Sequence, residues 1–235
     1  MKIALIGYGK MGRVIEKIAQ TKGHQIVFRS TSTHREGTLT DADVAIEFST
    51  PETAFDNLME VIEAKIPVVC GTTGWLERYE EIVAYCKKND GSFIYASNFS
   101  IGVNLFFAIN TFAARLMRKW NSYDVSVKEI HHTQKKDAPS GTAITITEEI
   151  LKYNQKKDWI LNAQESDKLT ITAVREKDVK GTHKVSYVSD IDMISLEHKA
   201  FSRDGFAEGA LLAAAWLKDK KGIFSMQDVL GIDSE

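Results

Sequence analysis

The chain has 235 residues, 43% hydrophobic and 26% charged, so one large or two modest soluble domains with sizeable cores are expected. A formal net charge of −2 gives no reason to expect nucleic acid or an anionic membrane as a partner. Two cysteines, Cys70 and Cys86, make neither a disulfide framework nor a metal-ligand spacing, and no apolar run reaches membrane-spanning length.

Residues 3–6 are a short apolar strand. It starts almost at the first residue, which argues against a signal peptide and makes the cytoplasm the expected location. Gly7-Tyr8-Gly9-Lys10-Met11-Gly12 follows at once. Met11, Val14, Ile15, Ile18 and Ala19 then recur as one helix face, and residues 25–28 form a second apolar strand. Strand, G-x-G-x-x-G, helix and strand in this order read as a dinucleotide fold. Gly7 permits the tight turn, Gly9 lets the backbone approach a pyrophosphate, and Gly12 lets helix and strand pack closely. Beyond the second strand, residues 29–35 read RSTSTHR, with no acid before Glu36. An acid there would hold a ribose 2′-hydroxyl, whereas cations and hydroxyls suit a 2′-phosphate. The reading therefore leans to NADPH, with Arg29 and Arg35 equally readable as solvated surface.

Residues 44–48, 66–70 and 93–96 read as further buried strands, alternating with helices over 52–64 and 76–88. That alternation implies a parallel sheet with right-handed crossovers. The strands run out into small or polar residues: 7–12, 49–51, 71–74 and 96–98. In an open parallel sheet such ends share the edge where ligands bind.

After residue 101 the pattern changes. Residues 103–116 read as a helix and 123–130 as a strand, with Tyr123, Val125 and Val127 on one face. A helix over 140–154, a solvated loop over 154–158 and three β-branched strands at 169–175, 182–189 and 192–199 follow. They predict an α+β domain with an open mixed or antiparallel sheet, helices on one face, and a partner subunit to cover what is left. The helix over 206–218 is apolar nearly all round and is expected to return to the first domain. The expected fold is therefore α/β. A Rossmann-type dinucleotide-binding domain comprises residues 1–100 and 204–235, and an α+β substrate-binding and oligomerisation domain comprises residues 101–203.

Chemistry concentrates in residues 129–143, EIHHTQKKDAPSGTA. A carboxylate could sit on the backbone N–H groups of Gly141 and Thr142 where a helix opens. Lys135 would add positive charge, and His131 or His132 could hold or donate a proton. The same residues also fit a solvated loop with Ser140 as an ordinary N-cap. Within a strand the two histidines would face opposite sides, unless the strand ends at them.

This stretch resembles the signature of the 4-hydroxy-tetrahydrodipicolinate reductase (dihydrodipicolinate reductase) family, E-x-H-H-x-x-K-x-D-A-P-S-G-T-A. GKMGR at 9–13, GTTG at 71–74, SNFSIGVN at 97–104, HKAFSR at 198–203, AAAWL at 213–217 and MQDVL at 226–230 are similar to that family too. The resemblance thus covers essentially the whole chain. It implies an NAD(P)H-dependent oxidoreductase of diaminopimelate and lysine biosynthesis, with NADPH or NADH as cofactor, no metal, and a homotetramer built through the second domain. By the same resemblance, His131 is the catalytic acid/base and Lys135 the proton donor, and His132, Gly141 and Thr142 hold the substrate's carboxylates. The cofactor contacts would be Gly7, Tyr8, Gly9, Lys10, Met11, Gly71, Thr72, Thr73, Ala96, Ser97, Asn98 and Phe99. The glycine loop is one residue shorter than the family's frequent G-x-x-G-R-M-G, which leaves the phosphate contacts open, Lys10 especially. Two other readings are a two-domain dehydrogenase acting on an amino acid or sugar, and a non-catalytic dinucleotide sensor. The His-His-x-x-Lys cluster argues against a sensor, which needs no acid beside a nicotinamide.

Overall fold

The computed structural model describes residues 1–232. The chain runs β1 (Lys2–Ile6), α1 (Lys10–Thr21), β2 (Gln25–Ser30), β3 (Arg35–Gly37), β4 (Val44–Glu47), α2 (Pro51–Glu63), β5 (Val68–Cys70), α3 (Tyr79–Lys88) and β6 (Ser92–Tyr95). It continues through α4 (Ile101–Met117), β7 (Asp124–His131), α5 (Gly141–Leu151), β8 (Asp158–Leu161), β9 (Lys168–Arg175), β10 (Gly181–Val188) and β11 (Met193–Ala200). It closes with α6 (Asp204–Leu217), β12 (Gly222–Phe224) and α7 (Met226–Leu230). Two compact units result: Met1–Ile101 together with the chain from Asp204 onward, and Gly102–Arg203.

The first unit is a seven-stranded sheet in the order β12-β6-β5-β4-β1-β2-β3, parallel except for β3. The two-residue period of β1 sends Ile3 and Leu5 into one core, shared with α1 and α6. It sends Ala4 and Ile6 into the other, shared with α2 and α3. Burying each such Ile or Leu contributes roughly 1.5–3 kcal/mol, which is why the central strands read as unbroken apolar runs. Gly209 on α6 is a packing residue: a Cβ there would lie 1.7 Å from the carbonyl oxygen of Phe99.

The second unit is a five-stranded mixed sheet, β11-β10-β7-β9-β8. β10 runs antiparallel to β7 and β11, while β7 and β8 run parallel to β9. Val125, Val127, Leu169, Ile171, Val185 and Tyr187 on one face pack with Phe106 and Ala114 of α4 and with Ala143, Ile146 and Ile150 of α5. Among the described residues no helix is long and apolar enough to cross a membrane.

The α/β class and the mixed second sheet agree with the sequence expectation. Four local differences have physical causes. β3 is wholly exposed and carries no apolar signal; it exists by antiparallel pairing with β2. β8 begins at Asp158, the last residue of the polar run that reads as loop, and is an edge strand ordered by β9. The helix expected over 76–88 opens as a 3₁₀ turn, Leu76–Arg78. β7 extends one residue further than expected and ends at His131.

Candidate active site

In the first unit the strand order reverses at β1, with β2 on one side and β4 on the other. Outside the carboxyl ends at such a switch point an open parallel sheet forms a crevice. A cavity of about 420 Å³ lies there, lined by Gly7, Tyr8 and Gly9 after β1, Ser30 to Ser32 after β2, and Phe48 to Thr50 after β4. Gly7 has φ +89°, and a Cβ on it would lie 2.0 Å from the Phe48 carbonyl oxygen, so a side chain would force the ends of β1 and β4 apart. At Gly9, the N-cap of the 12-residue α1, a Cβ would meet nothing within 4 Å, and no side chain caps the helix. A helix start beside open space suits a phosphate, through its N–H groups and its dipole. The residues present therefore fit a dinucleotide.

The other expected cofactor residues fall in two groups. Gly71, Thr72 and Thr73 follow β5, and Ala96, Ser97 and Asn98 follow β6, along the same sheet edge. Thr72 Oγ1 accepts from the Ser49 amide at 2.8 Å, joining the β4 and β5 loops, and the Ala96 amide donates to the Cys70 carbonyl at 3.2 Å. Phe99 and Met11 differ. The Phe99 ring is buried edge-on to Phe48, with centroids 5.9 Å apart, and Met11 packs against the same core. Lys10 is exposed and is not among the residues lining the cavity.

The two arginines offered for a 2′-phosphate have separate fates. Arg29 is ion-paired with Glu16, which also accepts from the Tyr8 hydroxyl, and lies 3.7 Å from Glu36. The Arg29 guanidinium holds Glu16 below the usual carboxylate range. Arg35 lines the cavity and makes a bidentate pair with Glu60 at 2.6 and 2.7 Å. Neither is a bare cation in water.

In the second unit, alternation along β7 puts Val125, Val127, Glu129 and His131 on the buried face. The first two are core, and the last two carry charge and protons to the end of the sheet. Register sets Glu129 opposite His183 on β10 and His131 beside Arg175 on β9. Glu129, 0% exposed, accepts from the Ser140 amide at 2.9 Å and from Arg175 Nη1 at 3.1 Å. Its other neighbours are His131 Nδ1 at 3.6 Å and His183 Nε2 at 4.0 Å. Ser140 Oγ sits 3.2 Å from His183 Nε2 and caps α5 by accepting from the Ala143 amide at 3.1 Å. Burial pushes the Glu129 carboxyl up, but the Ser140 bonds, His131 and Arg175 outweigh it and hold it below its ordinary value. Burial pushes the His131 imidazole down, and Lys135, Arg175 and His132 add to that against the pull of Glu129. His183 goes further, to about 3, through burial first and His131 second.

His131 closes the strand, so His132 begins the following loop. Lys135 Nζ pairs with Asp137 Oδ2 at 2.6 Å, and the Lys135 amide donates to the His132 carbonyl at 3.1 Å. Arg175 donates from Nε to the Lys135 carbonyl at 3.3 Å and from Nη2 to the Asp137 carbonyl at 2.6 Å. Gly141 starts α5, and a Cβ on it would meet nothing within 4 Å. Thr142 follows in the first turn. His132 Nε2 lies 3.0 Å from Arg203 Nη2. A guanidinium can only donate, so in this contact Nε2 accepts. A cavity of about 570 Å³ opens beside it, with Lys177, Lys180 and Arg203 in its walls.

Glu129 thus draws His131, the start of α5 and, through Arg175, the Lys135 loop into one cluster. Glu129, His131 and His183 also offer three potential ligand atoms within 4.8 Å of one another, with the carboxylate already engaged by Arg175. Sequence reasoning missed Arg175 and His183, which come from other strands and are aligned only by register. Arg203 was visible only as the end of HKAFSR. The arrangement can hold an anion at the start of α5 and move a proton at His131 or Lys135.

Comparisons with known proteins identify the family. Residues 1–99 match the family model described as dihydrodipicolinate reductase, N-terminus, and residues 102–230 match the one described as its C-terminus. A curated 4-hydroxy-tetrahydrodipicolinate reductase of Christiangramia forsetii is 51% identical over 233 residues, 98% of each chain. One of Rickettsia bellii is 34% identical over 230 residues, 94% of this chain and 90% of that one. Among solved structures, a dipicolinate-bound dihydrodipicolinate reductase from Paenisporosarcina sp. TG-14 superposes with a TM-score of 0.78. It covers 97% of this chain and 98% of that one at 22% identity, a likeness of fold.

Proposed function

This chain belongs to the dihydrodipicolinate reductase family, and from that premise we propose how its residues carry out the reaction. It is an NAD(P)H-dependent oxidoreductase that reduces 4-hydroxy-tetrahydrodipicolinate to tetrahydrodipicolinate, with loss of water, in diaminopimelate and lysine biosynthesis. The observation that carries the residue-level reading is the Glu129 cluster, which gathers His131, Ser140 at the start of α5 and the Lys135 loop around one buried carboxylate.

The first unit serves as the dinucleotide-binding domain, through Gly7, Tyr8 and Gly9 and the ends of β5 and β6. The nicotinamide, when bound, supplies the hydride. The second unit serves as the substrate-binding domain. Gly141 and Thr142 at the head of α5 take one carboxylate of the cyclic substrate. The other is taken at His132 and Arg203, whose Nη2 lies 3.0 Å from His132 Nε2 and whose guanidinium supplies the donors a carboxylate needs. The 4-hydroxyl leaves as water, which gives a conjugated ring imine; hydride addition to it makes the neighbouring ring atom electron-rich, and a proton must arrive there. Lys135 delivers it as the ammonium. His131, whose burial lowers its pKa, acts as the acid/base beside it.

NADPH is the proposed preference. Arg35, the cation among the cavity's lining residues, stands with the hydroxyls of residues 30–32 where a 2′-phosphate would sit. The second unit also serves oligomerisation, and a homotetramer in the cytoplasm is proposed. The end of β10, the turn after it and the edge strand β11 leave Val188, Ile191, Met193 and Ile194 exposed. Steady-state reduction by the purified protein, run in parallel with NADH and NADPH, tests the whole reading. Turnover of the cyclic dicarboxylate, faster with NADPH, supports it. Turnover of a simple hydroxy or amino acid with none of the cyclic dicarboxylate overturns it.

A further inference from the structure

Nine residues, 132–140, lie between the end of β7 and the start of α5, in neither helix nor strand. They carry Lys135, and an ammonium on such a segment needs something to fix its place. Arg175, at the end of β9, reaches across to it with three nitrogens. Nη1 donates to Glu129 Oε1 at 3.1 Å and to the Val174 carbonyl at 3.0 Å. Nε donates to the Lys135 carbonyl at 3.3 Å, and Nη2 to the Asp137 carbonyl at 2.6 Å. Asp137 in turn holds the Lys135 ammonium at 2.6 Å. One planar group therefore pins the backbone of Lys135 directly and its Nζ through Asp137, with the fully buried Glu129 as anchor.

We infer that Arg175 is the positioning residue of the proton donor: it fixes the Lys135 loop against the Glu129 carboxylate and so sets where the ammonium stands. This deepens the reading of Lys135 given above and rests on it. The chemistry requires arginine. A guanidinium spreads its donors over a rigid fork and can serve a carboxylate and two loop carbonyls at once. A lysine at 175 would keep the charge beside Glu129 and lose that span. Misplacing a reacting group by about 1 Å costs on the order of 100-fold in rate.

The test compares wild type, Arg175→Lys, Arg175→Ala and Lys135→Ala, with rates normalised to the cofactor-binding stoichiometry of each preparation. A merely structural role lowers the fraction of competent protein and leaves the rate per competent molecule intact. The expected result is an Arg175→Lys kcat about 10–100-fold below wild type, with the KM for NADPH unchanged. Arg175→Ala should regain activity when guanidinium or methylguanidinium is added, with no such effect on wild type. An Arg175→Lys kcat within about threefold of wild type overturns the inference, and so does an Arg175→Ala variant that guanidinium does not relieve. Full turnover by Lys135→Ala would instead sink the reading of Lys135 as donor, which keeps the two failures apart.

Discussion

His183 should make the second unit acid-labile. Burial, and then the neighbouring His131, push its ring down to about 3 from an ordinary 6.5, and the residue is only 5% exposed. The folded chain thus keeps the ring neutral where the unfolded chain would protonate it. Below about pH 6.5 the unfolded state binds the extra proton, so stability falls with pH down to about 3 and is fully present above 6.5. Between pH 7.5 and 4.5 the ring crosses about two units of that window, worth roughly 2–3 kcal/mol at 1.36 kcal/mol per unit. His183→Gln provides the reference: it cannot charge, has similar bulk and can still bond Ser140 Oγ. Urea unfolding followed by circular dichroism at both pH values gives the four free energies. The other depressed histidines, His24, His131 and His198, are present in both proteins and cancel to first order. The wild type should lose about 2–3 kcal/mol more than the variant on acidification. Parallel losses would refute the reasoning, because they would mean that the buried ring titrates as it does in water.

Gly7→Ala should weaken dinucleotide binding by about 100-fold or more in calorimetric titration, since the added Cβ meets the Phe48 carbonyl at 2.0 Å in a left-handed backbone. Unchanged affinity would show that the close approach of β1 and β4 is not needed. Arg35→Ala should raise the KM for NADPH about tenfold, by loss of a charge-assisted phosphate contact, and leave NADH within about twofold. Equal effects on the two cofactors would remove Arg35 from the 2′-phosphate site. His132→Ala should raise the substrate KM about tenfold with kcat little changed, because its ring is backed by Arg203. A fall in kcat at constant KM would assign His132 to the chemistry instead.

The first unit was largely legible in the sequence. Apolar runs such as Ile3 to Ile6 are buried on both faces, and Gly7 and Gly12 beside them have no room for a Cβ, so local pattern and tertiary position agree. β3 was not legible, since Arg35, Glu36 and Gly37 are all exposed and only pairing with β2 extends them. For the same reason the pairing of Arg35 with Glu60, 25 residues away, could not be foreseen. In the second unit, the run from Glu129 to Ala143 announced its chemistry, but the partners that organise it did not. Arg175 and His183 look like ordinary residues of β-branched strands. They become part of the site because β9 and β10 pair with β7 in a register that sets them beside His131 and Glu129. Whether His131 and His132 share a face turned on a single residue, the last of β7, and strand ends are where sequence pattern says least.

The most direct measurement is turnover by Lys135→Ala set against its affinity for NADPH. The account predicts that kcat for the cyclic dicarboxylate drops by about 10²–10⁴-fold, while the dissociation constant for NADPH, bound in the other unit, stays within about twofold by calorimetry. A variant that turns over within a few-fold of wild type would contradict it.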